Sequence, residues 1–302
     1  MTVPDLTPEA THDVERPLEP RFTKWLRGIV VVFLIIPLLW SAAGLEISPQ
    51  RLWEAPGQIL TLLGGMFPPD WTGTPKTIEL ILESLYVAWI GTIIGATLSF
   101  PLAFMAATNV APRWVTLPVR SFLSAIRAFP ELVLAIMFIP AFGLGPFAGT
   151  LAIGLHSIGT LGKLSSEVIE GVDDGPIEAI KSSGGTYFQQ MRFGVVPQAL
   201  PTIVAYWLYR FEINIRASAV LGVIGAGGVG AEIVGRLRFR GDWPKAGAVL
   251  ILTILTVLII DTASSVIRRR IITGRTSSSR PAKWMAALLG ASEEPSTEIA
   301  EA

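Results

Sequence analysis

The sequence predicts an all-α membrane protein with six transmembrane helices. Hydrophobic residues make up 51% of the 302 residues, charged residues only 16%, and the mean hydropathy is +0.54. A single soluble core could not bury so much apolar material. Long uncharged stretches recur along the chain, and basic residues flank the first and the last of them. Because basic residues stay on the cytoplasmic side of a membrane, we expect both termini to be cytoplasmic.

The composition excludes several kinds of site. The chain has no cysteine, so disulfides and thiolate metal ligands are excluded, and its two histidines, His12 and His156, are too few for a zinc cluster. The 24 basic and 24 acidic side chains cancel, so the net charge indicates neither nucleic acid nor an acidic partner. The phosphate-binding pattern G-x-x-x-x-G-K-[ST] does not occur either. We therefore expect this chain to bind no metal and no cofactor.

The amino-terminal part combines a tail with one span. Residues 1–24 are polar and proline-rich, which predicts a disordered cytoplasmic tail. Residues 28–45 are uncharged and follow several basic residues, which predicts a span that starts inside and is retained as an anchor; cleavage by signal peptidase near residues 41–44 is the alternative. This helix and an external loop make up residues 25–76, in which residues 52–66 are suited to lie flat on the membrane.

Five further spans form a core over residues 77–268, followed by a cytoplasmic tail at 269–302. The first of the five contains small residues that favour close packing against a neighbouring helix, namely Gly91, Gly95 and Ser99. A short glycine- and proline-containing turn joins the next two spans into a hairpin that turns outside. The five predicted spans are 84–112, 122–142, 147–162, 195–219 and 246–267.

A polar segment at residues 164–196 interrupts the apolar pattern and is expected to dock a partner. Pro176 suits a first helical turn, Asp173 and Asp174 complement the positive end of a helix dipole, and Gly184 favours a helix end. The segment therefore predicts a short, capped helix exposed to water.

Glu178 and Ala179 are followed by Gly184 and then by Pro197. This spacing resembles the coupling loop of ABC importer permeases. Ile180 stands where that family usually has a second alanine. In the family, the loop sits in a groove of a cytoplasmic ATPase. The residues that carry the signature are Ile177, Glu178, Ala179, Gly184 and Pro197.

Three downstream segments resemble the phosphonate uptake branch of that family in particular. They are RFGVVPQALP from Arg192, YRFEINIRAS from Tyr209 and GAGGVG from Gly225, and the resemblance covers roughly residues 77–268. It implies the type I importer fold of methionine permeases, a prokaryotic plasma-membrane location, and transport of phosphonate- or phosphite-type oxyanions by alternating access. Alternatives are an ABC permease for another small solute, such as phosphite, a phosphate ester or a methionine-like compound, and a stand-alone secondary transporter.

The resemblance also implies partners. The chain would work as a homodimer with two cytoplasmic ABC ATPase subunits, which bind ATP and magnesium and hydrolyse the ATP. An external phosphonate-binding protein would deliver the substrate, and the lipid bilayer would surround the spans. The chain itself would be a transport subunit and not an enzyme.

Ionisable side chains in the fifth span are candidates for the translocation pathway, because an unpaired charge that faces lipid costs several kcal/mol. These candidates are Arg210, Glu212, Asn214 and Arg216. Glu212 and Arg216 are four residues apart, so a structural ion pair is the alternative. Arg210 has no local partner, and its planar fork of donors suits a phosphonate group.

The third span contains a second pair at the same spacing, Arg127 and Glu131, on either side of Pro130. We expect a structural ion pair there. His156 in the fourth span is interpreted as a hydrogen-bonded bundle residue.

Two features between the fifth and sixth spans are predicted to lie outside. Arg236, Arg238 and Arg240 are basic residues on the side where they are uncommon, and we interpret them as attracting an incoming anion, with contact to lipid headgroups as the alternative. Three of the four glycines in this region match G-x-G-x-x-G, but no parallel-strand pattern surrounds them, so a dinucleotide site is not expected. An irregular segment of an external gate is the better interpretation, and its glycines are Gly225, Gly227, Gly228 and Gly230.

Overall fold

The computed structural model describes residues 21–44 and 48–273, which form helices and the turns between them. The predicted carboxyl-terminal tail beyond residue 273 and most of the amino-terminal tail lie outside the described residues. The chain divides into two compact units, Met1–Gly64 and Gly65–Ala302. The first unit contains α1 (Arg21–Gly44) and nearly all of α2 (Pro49–Gly65).

The second unit contains the predicted core. Two π-helical segments, Gln190–Val195 and Gly235–Arg240, lead into α9 and follow α10. The helices are α3 (Thr74–Ala106), α4 (Arg113–Ala128), α5 (Glu131–Phe142), α6 (Pro146–Glu170), α7 (Asp174–Ser182), α8 (Tyr187–Gln189), α9 (Val196–Gly222), α10 (Val229–Val234) and α11 (Trp243–Thr273).

Among the described helices, three are long and apolar enough to cross a membrane, and the bent pair α4–α5 would make a fourth. These three are Trp25–Gly44, Thr74–Ala106 and Trp243–Ile272. α6 and α9 bury polar side chains such as Ser157 and Asn214 inside the bundle. A helix enclosed by protein can carry such groups, which lowers its hydropathy without exposing them to lipid. The count of six spans and the cytoplasmic termini stay predictions.

The predicted third span, residues 122–142, is divided between two helices in the structure. α4 already begins at Arg113 and ends at Ala128, and α5 begins at Glu131 after a bend of 85°. The bend lies at Pro130, which lacks an N–H and disfavours helical backbone at the preceding residue. Phe129 accordingly has extended backbone, with φ −86° and ψ 123°.

The stripe of small residues on α3 packs closely against α6, as predicted. A Cβ added at Gly91 would lie 2.7 Å from Ile153 Cγ2, and one added at Gly95 would lie 2.4 Å from Ser157 Cβ. Ser99 is also fully buried. The contacts advance in the same direction along both chains, so α3 and α6 run parallel. Glycine is required here because the backbones approach too closely for a side chain.

The predicted loop at 164–196 is shorter in the structure, because α6 continues to Glu170. The Glu170 carboxylate joins the end of α6 to the turn after α3 and to α4. It accepts hydrogen bonds from the N–H and the hydroxyl of Thr108, both 2.6 Å long, and it pairs with Arg120. The loop thus starts from a fixed point.

Candidate coupling loop and buried polar network

The predicted capped helix is present as α7. Asp173 is its N-cap, and the Asp173 carboxylate accepts a hydrogen bond of 3.0 Å from the Gly175 N–H. Gly184 has a φ of +80°, and the Gly185 N–H donates to the Ile180 carbonyl at 2.9 Å. The positive φ favours glycine at the helix end, since a Cβ would be strained there.

α7 presents one face to solvent and one to the bundle. Glu178 and Ala179 are exposed, whereas Ile177 packs against the buried cluster that includes Val195. A Cβ added at Gly194 would lie 3.0 Å from Ile177 Cγ1, so Gly194 permits this close contact. The exposed face is free to meet a partner while the opposite face holds α7 on the bundle.

A continuous helical rod runs from the loop into the bundle. α8, the π-helical segment Gln190–Val195 and α9 follow one another without a break. Pro197 is at the start of α9, where its missing N–H is tolerated. The wider π-helical turn directly precedes this proline. Movement of the loop can therefore be transmitted along α9.

A second contact joins the loop to the turn between α3 and α4. The Tyr187 hydroxyl donates a hydrogen bond of 2.6 Å to the Val110 carbonyl. Burial raises the pKa of the Tyr187 phenol, so the hydroxyl keeps the proton that it donates. Beside the loop lies an open groove of about 510 Å³. It is lined by Ala179, Ile180, Ser183, Gly184, Gly185, Gln189 and Phe193.

Deeper in the bundle, a polar network connects α3, α6 and α9. The Arg210 Nε donates a hydrogen bond of 3.0 Å to the Ser157 hydroxyl. The Asn214 Nδ2 lies 3.1 Å from the same hydroxyl and 2.9 Å from the hydroxyl of Thr92. All four residues are buried. Two of the predicted pathway candidates, Arg210 and Asn214, thus belong to one network.

Glu131 extends this network and is not paired as predicted. Its carboxylate makes an ion pair with Arg210 and lies 3.6 Å from His156 Nε2. The predicted pair with Arg127 is wrong, because the backbone between the two residues is not helical and spacing by four does not align them. His156 Nδ1 lies 3.1 Å from the Phe129 carbonyl, which agrees with a hydrogen-bonded bundle histidine.

The alternative pairing of Glu212 with Arg216 is also wrong, since both residues pair with α11. The Glu212 carboxylate lies 3.3 Å from Arg268, and Arg216 pairs with Asp261. Glu212 is buried, whereas the Arg216 side chain is 53% exposed. These two pairs join α9 to α11, and Asn214 and Arg210 lie on the other side of α9.

The glycine segment after α9 is irregular, as predicted, and it is packed tightly. Gly225, Gly227 and Gly228 have φ values of +86°, +83° and +85°. A Cβ added at Gly230 would lie 1.8 Å from the Ala219 carbonyl oxygen. Glycine is therefore required at these positions for reasons of conformation or space.

Residues of two other elements hold the glycine segment. The Glu83 carboxylate accepts a hydrogen bond of 3.2 Å from the Gly228 N–H, and the Ser84 hydroxyl accepts one of 3.0 Å from the next N–H. The Gly145 N–H donates to the Gly225 carbonyl at 2.9 Å. The segment thus bridges the start of α3 and the turn between α5 and α6. Its role as an external gate stays a prediction.

The three arginines of the basic loop have different surroundings. Arg236 is buried, and its guanidinium lies 2.6 Å from Glu232 and 3.5 Å from Asp242. Arg240 is 59% exposed and lies 3.4 Å from Glu232, while Arg238 is exposed. Arg236 is thus enclosed by carboxylates, and attraction of an external anion stays a prediction for Arg238 and Arg240.

Sequence reasoning missed several partners of the predicted residues. Asp261 is the only acidic residue in the predicted sixth span. Because a charge in a membrane helix usually pairs inside the bundle, Asp261 could have been predicted to pair with a residue of another helix. Ser157 and Thr92 gave no such signal, because hydroxyls occur at many positions in membrane helices. Their part in the network is visible only in the structure, where both hydroxyls face α9 and contact Arg210 or Asn214.

Comparison with protein families supports a common origin with transport proteins. Residues 99–273 match the family model described as "Binding-protein-dependent transport system inner membrane component". The phosphite transport system permease protein PtxC of Stutzerimonas stutzeri is 38% identical over 245 residues, which cover 81% of this chain and 88% of that protein. The phosphate-import permease protein PhnE of Mycolicibacterium smegmatis is 37% identical over 230 residues, which cover 76% of this chain but 43% of the longer relative.

Solved structures show a similar fold at low sequence identity. An inward-facing structure of the MetNI methionine ABC transporter matches 64% of this chain and 95% of its own, with a TM-score of 0.57 and 21% identity. A bacterial ABC transporter involved in the import of alginate matches 84% of this chain and 99% of its own, with a TM-score of 0.56 and 13% identity. These similarities agree with the predicted type I importer permease fold.

Proposed function

The chain belongs to the family of binding-protein-dependent transport system inner membrane components, and on that premise we propose that it is the permease of an ATP-driven importer of phosphonate-type oxyanions. It is a transport subunit of the bacterial cytoplasmic membrane, and a separate ATPase hydrolyses the ATP. The substrate class is supported by relatives whose names specify phosphite or phosphate. The chemistry of Arg210, a buried planar donor, is suited to such oxyanions.

The observation that carries the mechanism is the continuous rod from the exposed coupling loop to Arg210. α7 packs on the π-helical segment that leads into α9, and α9 carries Arg210 fourteen residues after its start at Val196. A partner that moves α7 would therefore shift the buried network. In this mechanism, ATP-driven closure of the ATPases acts on Glu178 and changes which side of the membrane can reach Arg210.

The partners follow from the same mechanism. An ABC ATPase meets the exposed face of α7, and a substrate-binding protein delivers the cargo from outside. We also propose that two copies of this chain form the pathway and that ATP and magnesium bind to the two ATPase subunits. A second candidate substrate, a methionine-like solute, has only the similarity in fold in its favour. A stand-alone secondary transporter would have no use for the exposed face of α7.

The test is an ATPase measurement on the assembled transporter. The chain is co-assembled in lipid nanodiscs with the ATPase and the binding protein from the same genome, and ATP hydrolysis is measured with and without methylphosphonate and phosphite. We expect stimulation that requires both an oxyanion and the binding protein. Stimulation by methionine alone would reject the substrate class, and failure to assemble with an ATPase would reject the importer.

A further inference from the structure

The ion pair between Glu131 and Arg210 joins two helices that otherwise have little contact. α5 packs chiefly on α6 and only lightly on α9, so this pair is their main polar connection. We propose that Glu131 is an internal competitor of the cargo: it occupies the place on Arg210 that the transported oxyanion takes during import. This inference rests on the proposed function, since it assumes an oxyanion as the cargo.

Arg210 is held in position independently of Glu131. Its Nε donates to the Ser157 hydroxyl at 3.0 Å, and that hydroxyl is fixed in turn by Asn214 at 3.1 Å. Ser157 lies where α6 packs directly on Gly95 of α3, so its position is fixed by the backbone. If Glu131 withdraws, the guanidinium keeps its orientation. A positioned planar donor can then accept a tetrahedral oxyanion without reorganisation.

Glu131, in contrast, lies at a point where the chain can bend. It is the first residue of α5, directly after the 85° bend at Phe129 and Pro130. Its side chain is 18% exposed, while that of Arg210 is 6% exposed, which is the relation expected if the carboxylate covers the guanidinium. A rotation of α5 about the bend would withdraw the carboxylate and leave the contact between Ser157 and Arg210 intact.

His156 of α6 lies beside the Glu131 carboxylate and becomes a cationic partner for it when the ring carries a hydrogen on both nitrogens. His156 Nε2 lies 3.6 Å from the Glu131 carboxylate oxygen. Because a carbonyl only accepts, His156 Nδ1 carries the hydrogen in its contact with the Phe129 carbonyl, and the ring is thereby oriented with Nε2 towards Glu131. With a hydrogen on Nε2 as well, the ring can hold the carboxylate after it leaves Arg210.

Replacement of Glu131 by the oxyanion keeps Arg210 paired with a negative charge throughout transport. A buried guanidinium that lacks an anion is strongly unfavourable, so Arg210 needs a negative partner at every stage of the cycle. Glu131 supplies that charge when cargo is absent, and the oxyanion supplies it when cargo is present. Competition with a built-in carboxylate also keeps the binding of cargo weak, which allows release. The ion pair is therefore a gate that the substrate itself opens.

The experiment measures stabilisation by an oxyanion in the absence of the binding protein. Assemblies of the chain and its ATPase in nanodiscs are heated in methylphosphonate or in chloride of equal ionic strength. In Glu131→Gln, Arg210 has lost its anion, so we expect a lower unfolding temperature in chloride and recovery in methylphosphonate. The methylphosphonate concentration that gives half of the maximal stabilisation should be roughly tenfold lower for Glu131→Gln than for the wild type.

Two controls separate this role from simple loss of an ion pair. Glu212→Gln removes another buried carboxylate, the partner of Arg268, and should lose stability that methylphosphonate does not restore. The double variant Glu131→Gln/Arg210→Gln has no buried charge at this site and should not respond. The proposal would be overturned if Glu131→Gln unfolded at the same temperature in methylphosphonate as in chloride, or if the double variant were stabilised by methylphosphonate as much as Glu131→Gln.

The outcome is separable from that of the proposed function. Wild-type ATP hydrolysis is measured in the same nanodiscs with methylphosphonate and the binding protein. Stimulation of the wild type without recovery of Glu131→Gln rejects the competitor role and keeps the importer. Recovery of Glu131→Gln without stimulation of the wild type keeps an oxyanion site at Arg210 and rejects the importer as proposed.

Discussion

At the scale of single residues, the absence of a side chain can be as important as its chemistry. Gly95 lets α3 approach α6 so closely that a Cβ would lie 2.4 Å from Ser157 Cβ and 3.2 Å from the Ser157 carbonyl carbon. The obstacle includes backbone, which cannot rotate away as a flexible side chain can. Since Ser157 also holds Arg210, close packing and the polar network share this residue.

We predict that Gly95→Ala destabilises the protein by about 1–3 kcal/mol, because α3 and α6 must separate to admit the methyl group. The measurement is the unfolding temperature of the purified chain. Gly235→Ala is the matched control, since a Cβ there has no neighbour within 4 Å and the φ of −58° suits alanine. Equal effects of the two substitutions would contradict the packing argument.

At the scale of elements, the candidate coupling loop, from α7 to the π-helical segment Gln190–Val195, is held at two separate points. Ile177 packs on the bundle, and Tyr187 donates to the Val110 carbonyl in the turn between α3 and α4. α9 carries any movement of the loop inwards, while the Tyr187 contact reaches α3 and α4. A movement of the loop can therefore reach α4 through Tyr187 and α5 through the pair of Arg210 with Glu131.

Reversal of the charge at Glu178 should uncouple the loop from its partner. Glu178 is exposed on α7 and contributes little to the fold, so Glu178→Arg should insert and fold normally. We expect uptake of phosphonate to be abolished, because a like charge or a clash now faces the ATPase. Uptake of radiolabelled methylphosphonate by cells measures the effect, and uptake by the variant at the wild-type rate would contradict the prediction.

Tyr187→Phe tests the second point of attachment. Loss of one hydrogen bond costs about 0.5–1.5 kcal/mol, which corresponds to roughly a 2- to 10-fold change in the population of the coupled loop. The number of methylphosphonate molecules imported per ATP should fall accordingly, while hydrolysis continues. Phe188→Leu is the control, since Phe188 is 69% exposed. If Tyr187→Phe imported as many methylphosphonate molecules per ATP as the wild type, the contact with Val110 would have no part in coupling.

At the scale of the whole molecule, ion pairs join α9 to the helices on two of its sides. Glu131 of α5 meets Arg210 of α9, and two residues of α9, Glu212 and Arg216, meet α11. α9 is thus tied by ion pairs on two sides, and it is also the helix that continues from the coupling loop. Its movement must change these pairs or carry their partners with it.

Arg210→Ala tests whether this central network serves transport. We expect loss of methylphosphonate uptake, because the proposed pathway loses the buried guanidinium that pairs with α5, and Glu131 is left without that partner. Assembly with the ATPase should persist, since the loop surface is unchanged. Co-purification of the ATPase and uptake in proteoliposomes measure the two effects. Transport at the wild-type rate would exclude Arg210 from the pathway.

The sequence by itself determined the features whose causes are local. The capped helix α7 follows from Asp173, Pro176 and Gly184, since capping and backbone conformation depend on adjacent residues. The small residues of α3 likewise predicted its packing face. The coupling motif indicated the family, because its residues lie in one short stretch of the chain, from Ile177 to Pro197.

Only the tertiary structure decided which charges meet across helices. Spacing by four residues predicted pairs of Glu131 with Arg127 and of Glu212 with Arg216, yet both carboxylates pair with other helices. The first pair fails because Pro130 breaks the helix, and the second because α11 supplies a closer cation. A buried charge selects the partner that best replaces its lost hydration, and the distance along the chain does not reveal which helix supplies that partner.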